Sequence, residues 1–245
     1  MRLTWVGHAT VVIAARGARL ITDPMLRPRV AYLRREAAPA VHPGPVDAVL
    51  LSHGHHDHID LPSLRRLDAR VLGPPGTADT LRRLGRRVDE LPPGDERAIA
   101  RVRIRAVPAV HDGRRWPTSR RRADDAIGYV VDDGERRVYF AGDTDLFDGM
   151  RDLRPLDAAL VPIWGWGLRA GPGHMDPARA ADAVALLAPT VVVPIHWGTY
   201  LRLGLMRHHA DLLREPLDTF CELSAAVAPD VRVARLEPGG SIDLS

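Results

Sequence analysis

The feature that most restricts this chain is a histidine-dense tract that follows directly on a strand-like run. Val46–Leu51, apolar but for Asp47, leads into Ser52-His53-Gly54-His55-His56-Asp57-His58, which holds four of the eleven histidines. A short apolar run bounded by Pro45 and a polar cluster reads as a buried strand. A core strand that ends in a ligand-rich loop is a rigid platform for a metal ion. Residues two apart in extended chain face one side, so His53 and His55 can grip one ion. The turn that follows can direct Asp57 and His58 toward a second. Imidazole nitrogen and carboxylate oxygen suit zinc, and also manganese or iron. The plain alternative is a solvated polar loop, which the tract's position behind a core strand argues against.

Two ions need more ligands than one loop supplies, and other strand ends offer them. His111 closes Pro108-Ala109-Val110-His111, Asp143 sits in Ala141-Gly142-Asp143-Thr144, and His196 sits in Pro194-Ile195-His196-Trp197. Each follows an apolar run. A lone strand-end histidine is usually an ordinary one, but three chemically suitable residues at three strand ends make coincidence a poor account.

The rest of the chain reads as many short strands with helices between them. Leu3–Val6, Thr10–Ala14, Ala18–Thr22, Arg70–Leu72, Arg101–Val107, Ile127–Asp132, Arg137–Ala141, Ala158–Ile163, Val191–Ile195 and Val231–Leu236 are the strand candidates. Asp133-Gly134 marks a hairpin. Leu61–Leu67 and Gly76–Leu84 look like short surface helices. Asp176 followed by Pro177 is an N-cap and first-turn pair for a helix that buries Ala180, Ala183, Val184 and Leu187. A later helix starts near Pro216, with Leu217, Phe220 and Cys221 inward. With 21 Gly and 21 Pro, turns are frequent,. No linker, low-complexity tract or repeat interrupts residues 1–245, so one α/β domain is expected, with sheets packed together and helices outside.

Composition excludes several mechanisms. All 34 basic residues are Arg, and Lys, Asn and Gln are absent. Without Lys there is no Schiff base and no phosphate loop ending in Gly-Lys-Ser/Thr. Without amide side chains, oxyanion donors must be backbone N–H, Arg, His, hydroxyls or a metal. No G-x-S-x-G elbow occurs. The single Cys221 forbids an intrachain disulfide and a cysteine-rich zinc site,. A net charge of only +3 makes the pI near 9.6 weak evidence for a nucleic-acid partner,. The N-terminus lacks a signal-peptide core, and no apolar run is long enough to span a bilayer, so a cytoplasmic protein is expected.

Ser-His-x-His-x-Asp-His, a distant His, Gly-Asp-Thr and a late Pro-Ile-His together resemble the metallo-β-lactamase superfamily. The blocks extend from residue 52 to 199. Trp5-Val6-Gly7-His8-Ala9, Ile21-Thr22-Asp23-Pro24, His174-Met175-Asp176-Pro177 and His196-Trp197-Gly198-Thr199 are similar to one branch. That branch holds the L-ascorbate-6-phosphate lactonases and the N-acyl-phosphatidylethanolamine-hydrolysing phospholipase D enzymes. The resemblance implies a four-layer αββα sandwich with a dinuclear site along one edge. It implies that His53, His55 and His111 hold one ion, that Asp57, His58 and His196 hold the second, and that Asp143 bridges them. It further implies that a water activated between the ions attacks a phosphodiester, or an ester or lactone.

Beyond those ligands, Asp57 and His174 are the candidates for catalytic roles. His174 would act as a general acid or leaving-group stabiliser, its alternative being a loop-ordering histidine. His8 is expected beside the site, and Asp23 is expected to bond a ligating histidine. Trp164, Trp166 and Trp197 either line an apolar substrate pocket or fill the sandwich edge. Gly165, Gly167 and Gly171 lack the G-x-G-x-x-G spacing of a nucleotide loop. Arg114-Arg115 and Arg120-Arg121-Arg122 follow His111 and read as a solvated loop or an anion contact. The substrate is expected to be a small or lipid-like molecule, with no nucleic acid and no membrane span. A metal-binding sensor or scaffold with the same fold is the competing class.

Overall fold

The structure is a computed structural model that describes residues 1–82, 85, 87–114 and 125–244. Arg115 and Arg120-Arg121-Arg122 lie outside the described residues, as do the last two positions of the expected helix Gly76–Leu84, observed as Thr77–Arg82.

Among the described residues, two seven-stranded sheets share one plan. In the first, Ser241–Asp243, Arg2–Gly7, Thr10–Ala15 and Ala18–Thr22 run antiparallel, and Ala48–Leu50, Arg70–Gly73 and Asp89–Glu90 continue in parallel. In the second, Glu96–Ile99, Val102–Asp112, Asp125–Asp132 and Arg137–Phe140 are antiparallel, and Ala158–Pro162, Val191–Ile195 and Arg232–Val233 are parallel. Parallel neighbours need crossovers. Leu61–Leu64 and Thr77–Arg82 serve the first sheet, and Pro177–Leu187 and Glu215–Val227 the second.

Alternation along the first sheet's strands separates two cores. Leu3, Trp5, Val11, Ile13, Leu20, Ala48, Leu50 and Leu72 pack toward the second sheet. Their neighbours Val6, Val12, Ile21, Val49 and Val71 turn outward to Leu64, Leu67 and Leu81 beneath the helices. On the far side, Ala180, Val184, Leu187, Leu217 and Phe220 close the same central core. The order is therefore helix, sheet, sheet, helix. This is the metallo-β-lactamase fold, with both faces of each sheet covered.

The helix Pro177–Leu187 begins at an N-cap: the Asp176 side chain accepts from Arg179 N at 2.9 Å. It ends at Ala188 in the left-handed region, φ 41°, whose N–H donates to Val184 O,. Two expectations need correction. Cys221 packs against the central core as expected but is only half-buried, because the helix Glu215–Val227 turns part of that face toward Arg235. Val231–Leu236 contributes only Arg232–Val233, since Pro238-Gly239-Gly240 turns the chain across to pair Ser241–Asp243 with Arg2–Thr4 in the first sheet.

A third sheet was not foreseen: Tyr200–Arg202, Leu33–Arg35 and Arg29–Val30, over a small core of Met25, Val30, Leu33 and Tyr200. Among the described residues no helix is long and apolar enough to cross a membrane.

Candidate metal centre

The site is built at the C-terminal ends of parallel strands, where an α/β sheet leaves a crevice. The tract 53–58 leaves Ala48–Leu50 and closes into a turn, with Ile59 N donating to His55 O at 2.8 Å. Its far end is fastened by Asp60, which accepts from Ser63 N and from Arg27 Nε and Nη2 at 2.8 and 2.6 Å. Asp143 follows Arg137–Phe140, and His196 follows Val191–Ile195. His111 lies within the strand Val102–Asp112, which runs past the expected end at Val107. A bulge between Pro108 and Asp112 re-aims its side chain,.

These residues converge. His53, His55 and His111 form one group whose ligand atoms lie within 4.8 Å of one another; His8, Asp57, His58 and His196 form a second. Asp143 joins both sides, with Oδ2 3.1 Å from His58 Nε2 and Oδ1 3.2 Å from His196 Nε2. His53 Nε2 is 3.9 Å from Asp143 Oδ2. His174 Nε2 approaches the same Asp143 oxygen at 3.2 Å.

Outer hydrogen bonds fix which imidazole nitrogen faces inward. His111 Nδ1 lies 2.8 Å from Gly173 O, and His196 Nδ1 lies 2.9 Å from Trp164 O. A carbonyl only accepts, so each Nδ1 carries the proton and each Nε2 presents a lone pair. Asp23 accepts from His58 Nδ1 at 2.7 Å, which turns Nε2 inward. Ser52 stands between Asp23 and His53: its hydroxyl donates to Asp23 Oδ2 at 2.5 Å and lies 2.9 Å from His53 Nδ1. Ser52 was not singled out from sequence, although its place immediately before His53 was the available signal. His8 is oriented the other way, with Nε2 3.2 Å from Asp57 Oδ2, the geometry of a donor to that carboxylate.

The charges follow from burial. Asp23, Asp57 and Asp143 are all buried, and among the described residues no arginine pairs with them. An isolated buried carboxylate is costly, so this group calls for positive charge. Burial opposes ionisation of Asp143, but His196 and His58 beside it hold its carboxyl well below the usual range. Burial opposes protonation of His58, but Asp143, Asp23 and Asp57 push it well above the ordinary value. Burial and the neighbouring His196 drop His8 to about 3, and burial drops His111 to about 4. His174, despite burial, is raised to about 9 by Asp143.

Three site residues hold left-handed backbone: His8 at φ 53°, Asp23 at 30° and His196 at 62°. Such conformations in non-glycine residues persist where surrounding structure enforces them. Here His196 N donates to His8 O at 3.0 Å and Asp23 N to Leu50 O at 3.0 Å.

The tryptophans divide. Trp166 Nε1 donates to Asp57 Oδ2 at 2.8 Å, and Trp164 is half-buried with its carbonyl on His196. Trp197 is 2% exposed and stacks on Trp5 with ring centroids 5.2 Å apart. It belongs to the core and is withdrawn from the expected pocket. Arg114 is paired with Asp112 at 2.6 Å.

Residues 18–197 match the family described as Beta-lactamase superfamily domain. Across 99% of its length the chain is 32% identical to the UPF0173 metal-dependent hydrolase of Methanopyrus kandleri, and the match covers 100% of that protein. The chain belongs to the metallo-β-lactamase superfamily, in the UPF0173 metal-dependent hydrolase family. Solved structures share the hydrolase's fold. Igni18, a metallo hydrolase from Ignicoccus hospitalis, aligns with TM-score 0.74 and 23% identity over 98% of this chain and 97% of its own. An isothiocyanate hydrolase from Delia radicum gut bacteria aligns with TM-score 0.71 and 21% identity over 99% of both chains. In this metal-dependent hydrolase the buried His/Asp cluster is the place suited to divalent ions.

Proposed function

We propose that this hydrolase binds two divalent cations, zinc first and manganese or iron as alternatives, and cleaves a phosphodiester in preference to an ester or lactone. His53, His55 and His111 would hold one ion, Asp57, His58 and His196 the other, and Asp143 would be shared. One observation carries this reading. His53 Nε2 is buried without a hydrogen-bond partner, the Asp143 oxygens meet imidazole nitrogens at 3.1–3.2 Å, and His58 Nε2 and His196 Nε2 face one another at 3.2 Å. Imidazole nitrogens crowded around buried carboxylates are the donor set that divalent cations take. Bound there, two such ions supply Lewis acidity and an activated water.

The chain's own residues supply positioning and a proton. His174 Nδ1–H is held by Pro172 O at 3.2 Å, so a second proton on Nε2 faces the reaction edge. The side chain is 24% exposed, enough to meet a leaving oxygen. Trp164 and Trp166 flank the centre and serve as pocket walls. His8 and Trp166 both donate to Asp57 and hold it in place. The phosphodiester preference rests on the likeness of His174-Met175-Asp176-Pro177 and His196-Trp197-Gly198-Thr199 to the phospholipase D enzymes. A small or lipid-like substrate is the class proposed, with no nucleic acid.

Protein purified without added salts is expected to carry about two divalent ions per chain by elemental analysis. It should hydrolyse bis(4-nitrophenyl) phosphate faster than a lactone or a β-lactam. Bound ions with no turnover of any of the three would overturn the catalytic reading in favour of a sensor or scaffold. The His174→Ala enzyme should keep its metal and lose turnover by roughly 10²- to 10⁴-fold; unchanged turnover removes the acid role.

A further inference from the structure

An aromatic and cationic wall, built from the third sheet, its Tyr32 turn and the Trp166 loop, leads to Asp57. Trp166 rests one side on the small core of Met25, Val30, Leu33 and Tyr200, and its Nε1–H reaches Asp57 Oδ2 at 2.8 Å. The Tyr32 ring stands edge-on to Trp166 with centroids 5.1 Å apart, and the Arg202 guanidinium lies 5.8 Å from the Tyr32 ring. Two backbone bonds lock the pieces together: Arg202 N to Trp166 O at 3.1 Å and Leu203 N to Tyr32 O at 2.9 Å. The wall is nonetheless open. Tyr32 is 48% exposed, Leu203 50%, and Leu168, farther along the Trp166 loop, 54%. Among the described residues no carboxylate pairs with Arg202.

Large apolar side chains left in water beside a buried polar centre mark a binding surface. Edge-on aromatic pairs present a face and an edge to a third ring, and a guanidinium over such a ring adds an anion contact. We infer that Tyr32, Trp166 and Arg202 form the subsite that selects the substrate's non-reacting part, taking a planar aromatic group that carries an anionic substituent. Trp166 is the link: the side chain that meets the ring also fixes Asp57, so the subsite holds its ligand at a set distance from the centre. This inference rests on the two-cation reading of the adjoining site.

The test is calorimetric binding of three probes to the metal-loaded protein: methylphosphonate, benzenephosphonate and 4-carboxybenzenephosphonate. All three should bind in a chelator-sensitive manner. Benzenephosphonate should bind roughly three- to tenfold more tightly than methylphosphonate, and Tyr32→Ala should abolish that preference. The 4-carboxy group should add a further gain that Arg202→Ala removes and Arg202→Glu reverses. Equal, chelator-sensitive binding of all three probes overturns the subsite and leaves the metal reading standing. Absence of chelator-sensitive binding by any probe overturns the metal reading, and the subsite with it.

Discussion

At the scale of single residues, the centre depends on groups that touch no reactant. Asp23 accepts from Ser52 N at 2.8 Å, from the Ser52 hydroxyl and from His58 Nδ1. In Asp23→Asn one oxygen becomes an NH₂ group, so His58 loses the acceptor that fixes its tautomer. Metal affinity should fall about 10- to 100-fold, read by competition with a chromogenic chelator. An unchanged affinity would show that Asp23 does not orient His58. The residue types at the centre were legible because only a few side chains bind hard or borderline cations and they crowd into 53–58. The left-handed backbone of His8, Asp23 and His196 was not legible, because it is imposed by partners such as Thr199 Oγ1, which accepts from His8 N at 2.9 Å, far along the chain.

Elements meet most tightly where the two sheets' ends approach. Gly142 has φ 63°, and a Cβ built on it would stand 2.6 Å from Ser52 Cβ and 3.1 Å from Ile127 O. Neither neighbour can yield: Ser52 is tied to Asp23, and Ile127 N donates to Ser52 O at 3.0 Å. Gly142→Ala should therefore push Asp143 away from the 53–58 loop. We expect about 1–3 kcal/mol of destabilisation in urea titrations, together with reduced metal content. Full metal content with wild-type stability would refute the close-approach account. The long strands were readable from alternation, which sets Leu3 and Trp5 on one face and Val6 on the other. Strands of two or three residues, such as Arg29–Val30 and Leu33–Arg35, are too short to show a period, so the third sheet stayed hidden. Trp197 misled for a related reason. Its neighbour His196 points into the centre, but the left-handed turn at His196 after the strand Val191–Ile195 carries the Trp197 side chain back onto Trp5 in the core.

For the whole molecule, the buried charge makes stability depend on both pH and metal. In the chelated protein His8 and His111 stay neutral, at about 3 and about 4 against an ordinary 6.5. Between pH 6.5 and 4 the unfolded chain then binds more protons than the folded one, so stability falls as pH drops. His58 and His174 act oppositely, the latter at about 9. The folded chain binds more protons between pH 6.5 and 9, so their contribution is lost as pH rises through that window. The depressed Asp143 carboxyl is the other half of this same interaction and adds no separate limb. Each group contributes a slope of at most about 1.4 kcal/mol per pH unit. Denaturation midpoints of the chelated protein should therefore peak near pH 6.5. With cations bound, the proton on His58 is replaced and the charge on Asp143 is shared, so the alkaline limb should flatten. Ions at a thousandfold excess over their dissociation constant should add about 4 kcal/mol at neutral pH. The acid limb should steepen as protons displace them. Chelator-independent midpoints from pH 5 to 9 would mean that the carboxylate cluster is balanced by something other than metal.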